Sequence, residues 1–177
     1  MEKLEAEIAQ LIRQYRAKTG RFLTIGTVES ATGGRIADKI TNIPGSSDYF
    51  RGSIVAYSNE VKITVVGVRR ATMESHGAVS EQVALEMARG GRKILNADIC
   101  ISDTGIAGPS GATPEKPVGL FYLGLASKEH EVVHKYLFQG NREENKEDAC
   151  RAALQMLRRF LSQHVDSLPS ASEEKTA

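Results

Sequence analysis

The sequence predicts an α/β fold, a single domain built as a three-layer α/β/α sandwich around a mostly parallel mixed sheet. Two observations carry this. Short apolar runs rich in β-branched residues alternate with amphipathic stretches along the 177-residue chain, the pattern of strands crossed by helices. Two of those runs also end directly in Gly-rich segments. In open α/β sheets such strand-end loops gather at one edge of the sheet, where ligands bind.

Each element has its own warrant. Residues 2–19 place Leu4, Ile8, Leu11, Ile12 and Tyr15 on three- and four-residue steps, one face of a helix that Gly20 stops. Residues 22–28 are an apolar run expected to be a buried strand. It leads through Glu29-Ser30-Ala31-Thr32-Gly33-Gly34 into a helical pattern at 35–40. Turn residues make 42–47 a loop, 50–57 reads as a second strand, and Ser58 caps a short helix containing Lys62. Residues 74–78 read as punctuation before a helix that Ser80 opens and that runs to residue 95. A third strand at 97–102 ends in Asp103-Thr104-Gly105-Ile106-Ala107-Gly108-Pro109-Ser110-Gly111. Residues 118–126 and 131–138 form an antiparallel hairpin, and 142–163 a last helix with Ala149, Ala152, Ala153, Met156, Leu157, Phe160 and Leu161 on its core face. The domain is expected to span 1–164, with a Ser-, Glu- and Lys-rich disordered tail at 165–177.

Bulk composition excludes several classes. A formal net charge of +1 and the lack of a Lys/Arg run give no field for nucleic acid or an anionic membrane surface. No apolar stretch approaches the ~20 residues of a membrane span. The N-terminus lacks the layout of a signal peptide, so a cytoplasmic protein is expected. Cys100 and Cys150 lie far apart, in a strand-like and a helical run, and read as buried free thiols. No Cys/His cluster has zinc spacing, and His76, His130, His134 and His164 are scattered too widely to argue a Ser/His/Asp arrangement.

Three segments carry candidate chemistry. In the first Gly-rich turn, Ser30 or Thr32 is either a helix cap or an exposed hydroxyl beside main-chain donors that bind a phosphate or an oxyanion; Gly33 and Gly34 would let a substrate approach the backbone. The second segment, with Thr104, Gly105 and Gly108, is either a turn-rich connection or a binding loop; it matches neither a phosphate-binding P-loop nor a dinucleotide fingerprint. In Tyr57-Ser58-Asn59-Glu60-Val61-Lys62, the lysine is either solvated or a base whose pKa burial has lowered from ~10.4. Arg142 either holds a phosphate or pairs with a carboxylate such as Glu143 or Glu144.

Taken together, Glu29-Ser30-Ala31-Thr32-Gly33-Gly34, Ile43-Pro44-Gly45-Ser46-Ser47, Tyr57-Ser58-Asn59-Glu60, Lys62, Gly77-Ala78-Val79-Ser80-Glu81, Thr104-Gly105-Ile106-Ala107-Gly108-Pro109 and Pro114-Glu115-Lys116-Pro117-Val118-Gly119 resemble the CinA C-terminal domain family. The likeness runs over nearly the whole chain and implies the stand-alone form, expected without the larger nucleotide-hydrolysing domain that often precedes it. The resemblance implies deamidation of nicotinamide mononucleotide to nicotinic acid mononucleotide and ammonia, in pyridine-nucleotide salvage. It implies a serine amidohydrolase with no metal or other cofactor, and a homo-oligomer. It also implies roles: Ser30 as nucleophile, Lys62 as base with Tyr57 near it, and Thr32, Gly33, Gly34, Asn59, Thr104, Gly105, Gly108 and Arg142 in substrate binding. Two residues depart from the family pattern: Ala31, where many members have Cys, and Asp103, where a small neutral or apolar residue is usual. The alternatives are a catalytically silent nucleotide-binding or regulatory module of the same fold, a metal-dependent phosphate hydrolase, which lacks an evident carboxylate pair, and an assembly subunit.

Overall fold

A computed structural model describes residues 3–169. Its elements are α1 (Leu4–Thr19), β1 (Ile25–Glu29), α2 (Arg35–Thr41), β2 (Phe50–Val55), α3 (Asn59–Thr64), α4 (Arg70–His76), α5 (Glu81–Ile94), β3 (Ile99–Gly105), β4 (Leu120–Ala126), β5 (Glu131–Leu137) and α6 (Arg142–Asp166). The five strands form one mixed sheet in the order β2-β1-β3-β4-β5. β1 runs parallel to both β2 and β3, whereas β4 and β5 complete the sheet antiparallel. The chain therefore leaves β1 toward one side and returns on the other. Such a switch point opens a crevice beyond the strand ends. Ser30 follows β1 there, and Thr104 and Gly105 end β3 beside it.

Helices cover both faces. On one, Ile8 and Ile12 of α1, Ile36 and Ile40 of α2, and Leu154, Leu157 and Leu161 of α6 pack on Ile25, Ile99, Ile101, Leu123 and Leu125 of the sheet. On the other, Val83 and Met87 of α5, with Val66, Val68 and Met73, bury Val28 and Cys100. α5 sits close to the sheet because Gly91 has no side chain: a Cβ there would fall 2.1 Å from Val28 Cγ2. Ser102 Oγ fixes the contact by donating to the Ala84 carbonyl (2.5 Å). α6 starts at a capping box, Asn141 accepting from the amides of Glu143 and Glu144 while Glu144 accepts from the Asn141 amide.

Element boundaries differ from expectation most in three places, beside a β1 that starts at Ile25 and a β2 that ends at Val55. β3 continues through Asp103, Thr104 and Gly105, expected in the loop, because they pair with Leu123, Tyr122 and Phe121 of β4. Residues 70–76 form α4, which no apolar period announces. It is tied down by tertiary contacts instead: Glu86 of α5 accepts from the Arg69 amide and guanidinium and from Thr72 Oγ. α6 runs on through Asp166 with Val165 buried, so the start of the expected tail is helical. Residues 170–177 lie outside the described residues. Both cysteines are free and buried, and burial pushes each thiol up to about 12.

Candidate active site

The turn after β1 is built on two buried carboxyl groups. Glu29, the last residue of β1, turns its side chain under the start of α2. Its Oε2 accepts from the amides of Gly34 (2.8 Å) and Ile36 (3.1 Å), and its Oε1 from that of Ala37 (2.8 Å). Thr27, Thr32 and Ser53 hydroxyls complete its shell. Asp103, from β3, does the same for the other half. Its Oδ1 accepts from the Ser30 amide (3.0 Å), and its Oδ2 from those of Ala31 (2.9 Å) and Thr32 (3.2 Å). Gly33 and Gly34, at φ of 65° and 100°, take the left-handed conformations that close the turn. The amides of Ser30, Ala31, Thr32, Gly34, Ile36 and Ala37, expected to face a substrate, are thus turned inward and occupied.

What the turn presents outward is the Ser30 side chain, 7% exposed, at the floor of a cleft of about 230 Å³. Lys62 reaches the same cleft from α3. Ser58 positions that helix, its hydroxyl accepting from the Val61 amide (3.2 Å). Lys62 is 2% exposed, and its Nζ donates to the Tyr57 carbonyl (3.3 Å), its one hydrogen bond among the described residues. Burial pushes the ammonium below the ordinary lysine range, against the opposing pull of the Asp103 charge. Ser30 Oγ and Lys62 Nζ thus share a cleft without a hydrogen bond between them.

The opposite wall is the segment after β3. Among the described residues, the amides of Ala107, Gly108 and Gly111 donate to no protein acceptor, and all three residues line the cleft. Arg142, at the start of α6, fixes this wall. One guanidinium nitrogen donates to the Gly108 carbonyl (2.7 Å) and another to the Tyr57 hydroxyl (3.0 Å). Tyr57, 61% exposed, forms the rim. Thr104 is buried and donates to the Ala78 carbonyl (2.8 Å). Among the described residues, the lining contains two basic side chains, Lys62 and Arg142, and no carboxylate.

Of the residues expected at the site, Ser30, Tyr57, Asn59, Lys62, Thr104, Gly105, Gly108 and Arg142 line this one cleft. Thr32 does not: its side chain is buried against Glu29 and Asp103. Gly33 and Gly34 shape the turn and stay outside the lining, and Arg142 pairs with neither Glu143 nor Glu144. No histidine lines the cleft. Glu29 is the residue that reading the sequence missed. Its signal was an acid closing an apolar strand immediately before a Gly-rich turn, a place where an unpaired charge would be costly. Among the described residues, no group of three or more His, Cys, Asp or Glu side chains is arranged to hold a metal ion, and no helix is long and apolar enough to cross a membrane.

Known proteins share this architecture. The chain is 43% identical to a relative from Halothermothrix orenii across 90% of its own length, and 42% identical to a CinA-like protein of Thermotoga maritima across 90%. It spans only 44% and 38% of those two relatives. The crystal structure of a competence/damage inducible protein from Agrobacterium tumefaciens superposes with a TM-score of 0.82 at 35% identity, covering 92% of this chain and 97% of that one. A competence or damage-inducible protein from Enterobacter asburiae gives 0.83 at 29% identity, over 89% and 96%. The family model described as the CinA C-terminal domain matches residues 2–161, and the chain belongs to that family.

Proposed function

We propose that this chain is an amidohydrolase that deamidates nicotinamide mononucleotide to nicotinic acid mononucleotide, with Ser30 as nucleophile and Lys62 as general base. The observation that carries the reading is a hydroxyl, a buried amine and an arginine converging on one cleft that has no carboxylate in its lining. The absent carboxylates suit an anionic substrate. Burial lowers the amine's pKa, the direction a lysine base requires. At about 230 Å³ the cleft is smaller than the usual ~300–1,000 Å³ of an enclosed ligand site, so a nucleotide fills it with the reacting ring and carries its phosphate toward the rim, where Arg142 stands.

In this reading Ser30 Oγ attacks the carboxamide carbon and its proton passes to neutral Lys62. The tetrahedral oxyanion is met by the free amides of the Ala107–Gly108 wall, not by those of Ser30, Ala31, Thr32 and Gly34, which are spent on Asp103 and Glu29. One such donor is worth ~3 kcal/mol of barrier. The lysine then returns its proton to the departing ammonia, and water hydrolyses the acyl-enzyme by the same route. Ammonia release from nicotinamide mononucleotide tests this. The expected result is turnover by the wild type and a loss of at least ~10³-fold in Ser30→Ala; a Ser30→Ala protein at the parental rate removes the reading.

The missing hydrogen bond between Ser30 and Lys62 favours one second reading, a catalytically silent nucleotide-binding module. Catalytic hydrogen bonds often tighten only when substrate binds, so the amidase reading stands first. Saturable binding of nicotinamide mononucleotide with no ammonia released would identify the module.

A further inference from the structure

Two buried carboxyl groups lie beneath Ser30, and the mechanism assigns neither a protonation state. The Thr32 hydroxyl oxygen sits between them, 2.7 Å from Glu29 Oε2 and in closer contact still with Asp103 Oδ1. A hydroxyl has one hydrogen and can satisfy one of these oxygens. Against the other, if both groups are ionised, lone pair faces lone pair where no water reaches. One more proton is needed. Glu29 already takes the amides of Gly34, Ile36 and Ala37 and the hydroxyls of Thr27 and Ser53, a shell suited to a carboxylate. Asp103 takes the three amides of Ser30, Ala31 and Thr32. The Thr32 hydrogen therefore belongs to Glu29, and the additional proton to Asp103 Oδ1, pointing at Thr32 Oγ1. Asp103 Oδ2 still accepts from Ala31 and Thr32, and Oδ1 accepts the Ser30 amide through its remaining lone pair. Every hydrogen in the cluster then has an acceptor.

We propose that Asp103 is a positioning residue for Ser30 and holds the turn as a neutral carboxylic acid, linked to the Glu29 carboxylate through the Thr32 hydroxyl. Its consequence for catalysis rests on the reading of Ser30 as nucleophile; the location of the proton does not. The titratable groups facing Asp103 are Glu29 from β1, Lys62 from α3 and Cys150 from α6. The Cys150 thiol, pushed up to about 12, is neutral there. Burial, with the Glu29 charge adding to it, pushes Asp103 up to about 6. As an acid, the state it holds below about pH 6, it removes the charge that favours the ammonium form of Lys62. Once ionised, it loosens the Thr32 bridge and favours the ammonium form of Lys62.

Infrared difference spectroscopy of the full chain reads the proton directly. At pH 5 the wild type should show a carboxylic-acid C=O stretch that is missing in Asp103→Asn and fades as pH rises through about 6. Isotope labelling of the aspartate carboxyl carbon assigns the band without any substitution, so the test survives a variant that fails to fold. No aspartyl acid band at pH 5 overturns the proposal. Activity gives a second readout, because asparagine mimics the acid, with a carbonyl for Ala31 and Thr32 and an N–H for Thr32 Oγ1. Its kcat should fall by no more than ~10-fold, the cost of the Ser30 amide bond it cannot accept, and its ascending pH limb should move to lower pH. A folded Asp103→Asn protein slowed by ~10³-fold or more would mean that the carboxylate itself acts, and would also overturn the proposal. A wild type that releases no ammonia removes the amidase reading and leaves the infrared outcome standing. A working amidase without the band removes this proposal alone.

Discussion

The segments after β1 and β3 look alike in sequence, each a glycine-rich stretch leaving the end of a parallel strand, and they do opposite jobs. The turn after β1 points its amides into the protein, where Glu29 and Asp103 take those of Ser30, Ala31, Thr32, Gly34, Ile36 and Ala37. It is a mount that presents the Ser30 hydroxyl to the cleft. The segment after β3 leaves the amides of Ala107, Gly108 and Gly111 without protein acceptors and is braced from outside by Arg142. Glycine at a strand end thus marks a tight backbone path, and the nearby buried acids decide which way the donors face. A catalytic site needs both kinds, a fixed nucleophile and a wall with hydrogen bonds to give.

The comparison breaks most visibly if the mount loses its acid. Glu29→Ala deprives the buried amide of Ile36 and the part-buried amides of Gly34 and Ala37 of their acceptor. At ~1–3 kcal/mol for each buried unsatisfied group, the loss consumes much of an ordinary domain stability of ~5–15 kcal/mol. Glu29→Ala should yield little folded protein and no cooperative melt by circular dichroism near ambient temperature. In the other segment, Ser110→Ala should stay within ~0.5 kcal/mol of wild type. Equal stability losses would mean that the two segments are not built differently.

Lys62→Met comes next. Removing a general base costs ~10²–10⁴-fold in rate, while stability should hold or improve. Burial lowers the lysine pKa in the folded protein, so folding pays to desolvate the charge, and methionine removes that cost with similar volume. Ammonia release and thermal melts on the same sample check both halves. A variant that loses activity and stability together would make Lys62 a structural residue.

Asp103 gives an effect on pH. Its folded pKa is raised from 3.8 to about 6, so the unfolded chain releases this proton more readily. The associated stability is fully present below pH ~4 and is lost as pH rises through about 6, on the order of 3 kcal/mol in all. Denaturant midpoints taken from pH 4 to 8 should show a decline in the wild type that is absent in Asp103→Asn. Parallel pH dependences in the two proteins would place the proton elsewhere.

Much of the fold was legible because its signals are local and periodic. The apolar step of α1, the Ser58 and Ser80 caps and the hairpin of β4 and β5 all depend on neighbours within a few residues. α4 was not legible, since Arg69 and Thr72 are held by Glu86 on another helix. The extension of β3 was hidden for the same reason: Asp103, Thr104 and Gly105 become strand only when β4 supplies partners. Within the site, motif order was enough to gather Ser30, Lys62 and Arg142. Nothing local could show that the Ser30 and Ala31 amides are consumed by an acid 73 and 72 positions away. Asp103 stood out in sequence as a departure from the family pattern, and its contacts give that departure a physical role.

The smallest expected effect concerns the outer wall. Arg142 ties α6, the segment after β3 and Tyr57 together, yet both of its partners are neutral oxygens, the Gly108 carbonyl and the Tyr57 hydroxyl. A guanidinium without a carboxylate partner among the described residues keeps its charge for a ligand, and in the amidase reading its rim position puts that charge where a nucleotide phosphate would lie. Arg142→Gln should therefore raise KM for nicotinamide mononucleotide by about tenfold, the lower end of the range for a hydrogen bond to a charged group, with a much smaller change in kcat. The nucleoside without the phosphate separates binding from bracing. If Arg142 meets the phosphate, wild type and variant should process that nucleoside alike. If Arg142 only holds the wall in shape, the variant should lose the same factor on both substrates, and the free amides of Ala107 and Gly108 would be the features that suffer.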